Sequence, residues 1–130
     1  MLRTGVDIIE VARIDQAILR HGDRFFQRFF TVRELTEAAD RTPALAARFA
    51  AKEAVAKALG SGIGDVGWKD IEIVKNARGV PALRLHGAAQ ALAEALGLNE
   101  WAVSISHTHE HAVAFVVAAS RPKPPAADSA

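Results

Sequence analysis

Hydrophobic and polar positions change their period several times along the chain, and each change marks an element. Val6, Ile8, Ile9 and Val11, interrupted by Asp7 and Glu10, make a β-branched run that predicts a strand over Gly5 to Val11. Ile14, Ala17 and Ile18 then recur at helical spacing up to His21, Gly22-Asp23 offers a break with a fresh N-cap, and a second short helix follows from Arg24 to Phe30. Thr31-Val32-Arg33-Glu34 fits the S/T-x-x-E capping box and predicts a third short helix to Ala39. The stretch from Arg48 to Leu59 is dominated by Ala, Leu, Lys and Glu with no proline inside it. Pro43 suits its first turn and Gly60 its end, so a long helix is predicted here, and it organises the rest.

From Trp68 the period becomes two. Ile71 and Ile73, the turn Asn76-Ala77-Arg78-Gly79, and the alternation from Pro81 to His86 read as a hairpin. Gly87 to Gly97 is an alanine-rich amphipathic helix with Ala88, Ala91, Leu92, Ala95 and Leu96 on its apolar side. Two strand patterns close the chain, Glu100 to Ser106 and Ala112 to Ala119, the second so continuously apolar that it is expected at the centre of a sheet. Residues 121–130 carry prolines and no core-forming side chains, and a disordered tail is expected there. The fold class is therefore α+β, a mainly antiparallel sheet packed against a long central helix and shorter helices, in a single domain over residues 1–120.

Composition narrows the function classes. A chain of 130 residues, 50% hydrophobic, can bury one core but not two comfortable ones. Sixteen basic against fifteen acidic residues argue against a dedicated nucleic-acid binder, which would carry a basic excess on one face. Absence of cysteine removes disulfides, thiolate catalysis and Cys-ligated metals. No apolar run is long enough to span a bilayer and the N-terminus lacks a secretory h-region, so no membrane association and a cytoplasmic location are expected.

Candidate chemistry begins on the long helix. At about 100° per residue, Phe49, Glu53 and Lys57 form one row of i, i+4 neighbours, an acid beside a base on a helix otherwise lined by alanine. Asp7 interrupts a strand, and a carboxylate there needs a cation, a donor or a metal. Arg13 and Arg20 on the first helix, with Arg24 and Arg28 on the second, form a basic stripe suited to an acidic partner. Ser61-Gly62-Ile63-Gly64-Asp65-Val66-Gly67 permits close backbone approach to a phosphate, but it follows a helix C-terminus, so as a nucleotide motif it is weak. His107, His109 and His111 would share a face only on a straight strand; the flanking strands require a turn there, which argues against a zinc site. Ser106 and His107 point to opposite faces of a strand, which disfavours a serine hydrolase.

Three separated segments together carry a resemblance that none carries alone. Gly5-Val6-Asp7-Ile8-Ile9-Glu10-Val11-Ala12-Arg13-Ile14, the run Arg48-Phe49-Ala50-Ala51-Lys52-Glu53-Ala54-Val55-Ala56-Lys57-Ala58-Leu59-Gly60, and Ser104-Ile105-Ser106-His107 resemble the motifs of the holo-(acyl-carrier-protein) synthases, the small bacterial class of 4′-phosphopantetheinyl transferases. Order, spacing and length agree from Gly5 to about Ser120.

The resemblance implies Mg²⁺-dependent transfer of the phosphopantetheine arm from coenzyme A to a serine of an apo acyl carrier protein of fatty-acid or polyketide synthesis, releasing adenosine 3′,5′-bisphosphate. By position, it implies that Asp7 and Glu53 hold Mg²⁺, that Lys57 lies against the phosphates, and that Asp7, Glu53 and Lys57 are the catalytic group. Arg48, Phe49, Lys52, Ser61, Gly79, Pro81 and His107 match coenzyme A-binding positions, and Arg13, Arg20 and Arg24 match arginines that dock the carrier protein. Two positions depart from the family pattern. Val80 stands in the Gly-Lys-Pro turn where a lysine is expected for the 3′-phosphate, and Arg3 stands where many members have glycine. The family is also typically a homotrimer with interfacial active sites, which makes Phe115 and Val116 candidates for a shared core. Two other classes stay open at this point: a non-catalytic coenzyme A or carrier-protein binding module, and a structural oligomerising domain.

Overall fold

A computed structural model describes residues 1–62 and 64–122. Five strands and five helices follow in the order β1 (Leu2–Glu10), α1 (Val11–His21), α2 (Asp23–Phe29), α3 (Val32–Ala38), α4 (Thr42–Leu59), β2 (Ile71–Lys75), β3 (Pro81–Leu85), α5 (Gly87–Ala95), β4 (Glu100–His107) and β5 (His111–Ala119), with one 3₁₀ turn at Trp68–Asp70. The predicted α+β class holds, but the strands divide into a three-stranded antiparallel sheet, β1-β5-β4, and a separate β2-β3 hairpin. β5 is the central strand, as its apolar run requires. The tail expected from 121 onward lies, from 123, outside the described residues.

Local signals act where the sequence puts them. Thr31 caps α3 in a complete capping box with Glu34, proline occupies the first turn of α4, and Gly60 ends α4 in the left-handed region at φ 72°. Arg3, the departure noted above, reaches the Ala58 carbonyl at 3.4 Å, a cation placed at the negative end of the α4 dipole. The α5 expectation needs correction. Ala89 and Ala93 are its buried alanines, whereas Ala88, Ala91 and Ala95 are exposed. With alanine nearly all round the helix, the hydrophobic pattern could not distinguish one alanine face from its neighbour; Leu92 and Leu96, packed against the core, orient it.

Helix α4 lies across the inner face of the three-stranded sheet. Ala50, Ala51, Ala54, Val55 and Ala58 share one core with Ala114, Val116 and Ala118 of β5, small side chains that let helix and sheet approach closely. At Gly5 the approach leaves no room for a side chain: an added Cβ would fall 1.8 Å from the Ala54 carbonyl oxygen. Val116 is therefore part of this chain's own core and cannot belong to a shared one. Phe115, on the opposite face of β5, is 45% exposed and opposes Val6 of β1.

Candidate active site

Beyond its first turn, α4 is buried everywhere except at Phe49, Glu53 and Lys57, so the predicted acid-base row is the one stripe through which this helix reaches solvent. β1 runs beside it. The Gly5 contact sets the distance, and Asp7, two residues on and on the same face of the strand, is brought against the row. Lys57 Nζ lies 3.2 Å from Asp7 Oδ1 and donates to the Val6 carbonyl at 2.9 Å. Asp7 is largely buried and Lys57 half exposed. Glu53 has no hydrogen-bond or ion-pair partner among the described residues. Its carboxyl is held above the usual glutamate range, first by burial and then by the negative charge of Asp7, against the opposing pull of Lys57.

Two neighbouring carboxylates, one of them made a weaker acid first by burial and then by the charge of the other, fit a hard divalent cation, which would relieve their repulsion. The sign of a pH effect follows. A cation needs Glu53 ionised, and the proton competes with it at a higher pH than at a solvated glutamate. Magnesium affinity, measured by calorimetry between about pH 8 and pH 5, is expected to fall as the pH drops, with onset above the usual carboxylate range of about 4.3. Glu53→Gln is expected to remove that dependence.

Ser61, just past Gly60, has a buried Oγ with no hydrogen-bond partner, as does Nε of Arg48. Orphaned buried polar atoms are uncommon in a satisfied fold, and both belong to positions expected to meet coenzyme A. Arg48 does not share the surface of the acid-base row. Arg48 and Lys57 are nine residues apart, about 180° around α4. Arg48, Gly79, Pro81 and His107 meet in a cavity of about 240 Å³ that Arg41 and Lys75 also line. Glu37 ties two of its lining residues together, accepting from Arg48 at 3.3 Å and from the Lys75 amide at 2.9 Å. Val80, in the turn above, is 49% exposed.

Phe49 lines a larger cavity of about 550 Å³ with Ile9, Phe25 and Phe29, rimmed by Arg13, Arg24 and Arg28. Arg20 lies outside that lining but is exposed on the same helix as Arg13. The three histidines sit about a hairpin turn in which the Thr108 amide donates to the His111 carbonyl at 2.8 Å, and no group of three metal-ligating side chains gathers among the described residues.

Lys52 is the correction among the expected coenzyme A residues. Its ammonium is fully buried, 2.8 Å from Glu34 Oε1, and it donates to the carbonyls of Trp68 and Ile71. All three donors are thereby used, and none is left for a phosphate. Neither the sequence spacing nor the row on α4 indicated Glu34 as its partner. The only local signal at Glu34 was the capping box, which occupies the same carboxylate through the Thr31 amide at 2.9 Å.

The family model described as the 4′-phosphopantetheinyl transferase superfamily matches residues 3–116. The chain belongs to that family. The holo-(acyl-carrier-protein) synthase of Herpetosiphon aurantiacus is 50% identical over 124 residues, covering 90% of this chain and 98% of that protein. Among solved structures, the Helicobacter pylori holo-(acyl-carrier-protein) synthase in complex with coenzyme A aligns at a TM-score of 0.82 with 32% identity, over 89% of this chain and 99% of that one. The Neisseria meningitidis synthase aligns at a TM-score of 0.82 with 36% identity, over 90% and 97%. These phosphopantetheinyl transferases share the α+β fold described above.

Proposed function

We propose that this protein is a holo-(acyl-carrier-protein) synthase that transfers 4′-phosphopantetheine from coenzyme A to a serine of an apo acyl carrier protein. The observation that carries the reading is the convergence of Asp7, Glu53 and Lys57, from two elements locked together at Gly5, in a chain of this family. In the reaction the serine oxygen bonds to the phosphorus that carries the pantetheine arm. The phosphoanhydride bond to adenosine 3′,5′-bisphosphate breaks, and the serine proton is taken up. Lys57, the exposed cation of the row, balances charge on the phosphoryl oxygens. Glu53, with its raised pKa, is better matched to accept a proton near neutral pH than a solvated glutamate. Asp7 and Glu53 would hold Mg²⁺, which when bound supplies Lewis-acid neutralisation of the pyrophosphate.

The cation-lined cavity at Arg48, Arg41, Lys75 and His107 suits the nucleotide end of coenzyme A, and Arg41 and Lys75 supply positive charge that Val80 does not. This half of the site opens away from Asp7 and Lys57. Together with the apolar outer sheet face, where Val6 is 54% and Ile8 65% exposed beside Phe115, this supports a homotrimer whose sites combine halves from neighbouring copies. The exposed arginines at 13, 20 and 24 suit an acidic carrier surface. No helix among the described residues is long and apolar enough to cross a membrane, and a cytoplasmic location is part of this reading.

The test is the mass of apo carrier protein after incubation with the protein, coenzyme A and Mg²⁺. A gain of one phosphopantetheine group, abolished by EDTA, is expected. No gain across several fatty-acid and polyketide carriers would overturn the reading.

A further inference from the structure

β2 pairs with β3 along one edge, and along the other its amides meet two glutamates that lie one turn apart on α3. Glu34 Oε2 accepts from the Ile73 amide at 3.0 Å and Glu37 Oε1 from the Lys75 amide at 2.9 Å. The other oxygen of Glu34 stays inside the core, on Lys52. Glu37 reaches elsewhere: the same Oε1 accepts from Nη2 of Arg48 on α4 at 3.3 Å, and Oε2 accepts from Nε of Arg33 at 3.3 Å. One carboxylate therefore ties α3, α4 and the last residue of β2, just before the turn that carries Gly79, Val80 and Pro81. Burial acts to raise the Glu37 pKa, but the bonds from the Lys75 amide, Arg33 and Arg48 hold it below the ordinary glutamate value.

The guanidinium that Glu37 holds differs from the other basic groups around it. Of the side chains of Arg41, Arg48, Lys75 and His107 that line the 240 Å³ cavity, Arg48 alone is buried, at 6% exposure. Exposed charges draw an anion in, but water and salt screen them. Arg48 is fixed instead. Its Nη1 donates to the Ala44 carbonyl at 3.3 Å, its Nη2 is on Glu37, and its Nε has no partner. A planar guanidinium anchored at its ends with an N–H unused suits a phosphate group. Coenzyme A carries two anionic groups. In the transferase reading its pyrophosphate goes to the acid-base row, so this cavity, about 180° away around α4, is left for the 3′-phosphate of the ribose.

We propose that Glu37 is a positioning residue for coenzyme A: it holds Arg48 and the Lys75 end of β2 together, sets the guanidinium against the 3′-phosphate, and so lets a chain with Val80 in the turn still select coenzyme A over 3′-dephospho-coenzyme A. The inference rests on the transferase reading above.

The test uses three variants. Glu37→Met keeps the length of the side chain and removes both bonds. Glu37→Gln removes the charge but keeps an oxygen for both, since Oε1 alone makes them. Glu37→Asp keeps the charge but is too short to reach both donors, and it carries the Met expectation if Glu37→Met does not fold. Folding is checked by circular dichroism and thermal unfolding. Coenzyme A and 3′-dephospho-coenzyme A are titrated separately by calorimetry.

The wild-type protein is expected to prefer coenzyme A. Glu37→Met should weaken coenzyme A about tenfold and the dephospho form by no more than about twofold, while Glu37→Gln keeps the wild-type ratio within about threefold. In carrier modification by Glu37→Met, KM for coenzyme A should rise with kcat within about twofold. Equal weakening of both ligands, a Gln variant as poor as Met, or a wild-type protein that does not distinguish the two ligands would overturn the proposal. These ratios are read by binding, without turnover, so failure of the wild-type protein to modify any carrier would count against the transferase reading separately.

Discussion

Asp7→Ala and Glu53→Ala are each expected to lower phosphopantetheine transfer by at least about a thousandfold, the loss of several kcal/mol of charge stabilisation at the reacting phosphoryl group. Folding should survive both changes. Among the described residues Asp7 has one ion pair, to a half-exposed Lys57, and Glu53 has no partner whose loss would leave a buried group stranded. Burial and the repulsion from Asp7 that raise the Glu53 pKa mean that its ionised form opposes folding, so Glu53→Ala should leave the melting temperature unchanged or raise it slightly. Carrier-protein mass after a fixed incubation measures the first effect and thermal unfolding the second. Wild-type turnover in either variant would remove that carboxylate from the catalytic group. A melting temperature that collapses with activity would favour a structural role.

The other large effect is expected at a residue with no functional group. Gly5→Ala places a Cβ 1.8 Å from the carbonyl oxygen of Ala54, a backbone atom at the middle of a buried helix that cannot swing aside. β1 must move away from α4. A cost of about 3 kcal/mol is expected, at the upper end for overpacking. That corresponds to a fall in melting temperature of roughly 10 °C for a domain of this size. Transfer should fall further than stability explains when assayed well below the melting point, because the strand that retreats is the one that carries Asp7 to within 3.2 Å of Lys57. Gly5→Ala that melts like the wild type would mean that the contact between strand and helix at Gly5 is softer than this packing indicates.

Much of this was legible in one dimension. The capping box at Thr31, the proline and glycine bounding α4, the alternation in β2 and β3, and the unbroken apolar run of β5 are local signals, and each produced its element within a few residues. The row Phe49, Glu53 and Lys57 was legible for the same reason, since helical spacing alone puts them on one stripe. The alanine face of α5 was not, because alanines on nearly every side of a helix leave the inward one unset until its neighbours supply it. Division of the strands into two sheets was equally out of reach, since period-two alternation identifies strands without saying which of them pair.

Lys52 shows the boundary most clearly. On the helix it sits one residue before Glu53, and the resemblance placed it with the coenzyme A ligands. Adjacent residues on a helix point about 100° apart, however, and the fold turned that direction toward Glu34, 18 residues earlier, and the carbonyls of Trp68 and Ile71. By itself, the sequence determined which elements form, to within a few residues at their ends, and which side chains of α4 share one stripe, because those depend on spacings along the chain. Tertiary structure decided which charged groups reach solvent and which are consumed inside. Burial and pairing are properties of segments far apart in sequence, and only the packing of α3, α4 and β2 around one carboxylate turned Lys52 from a surface cation into an internal one.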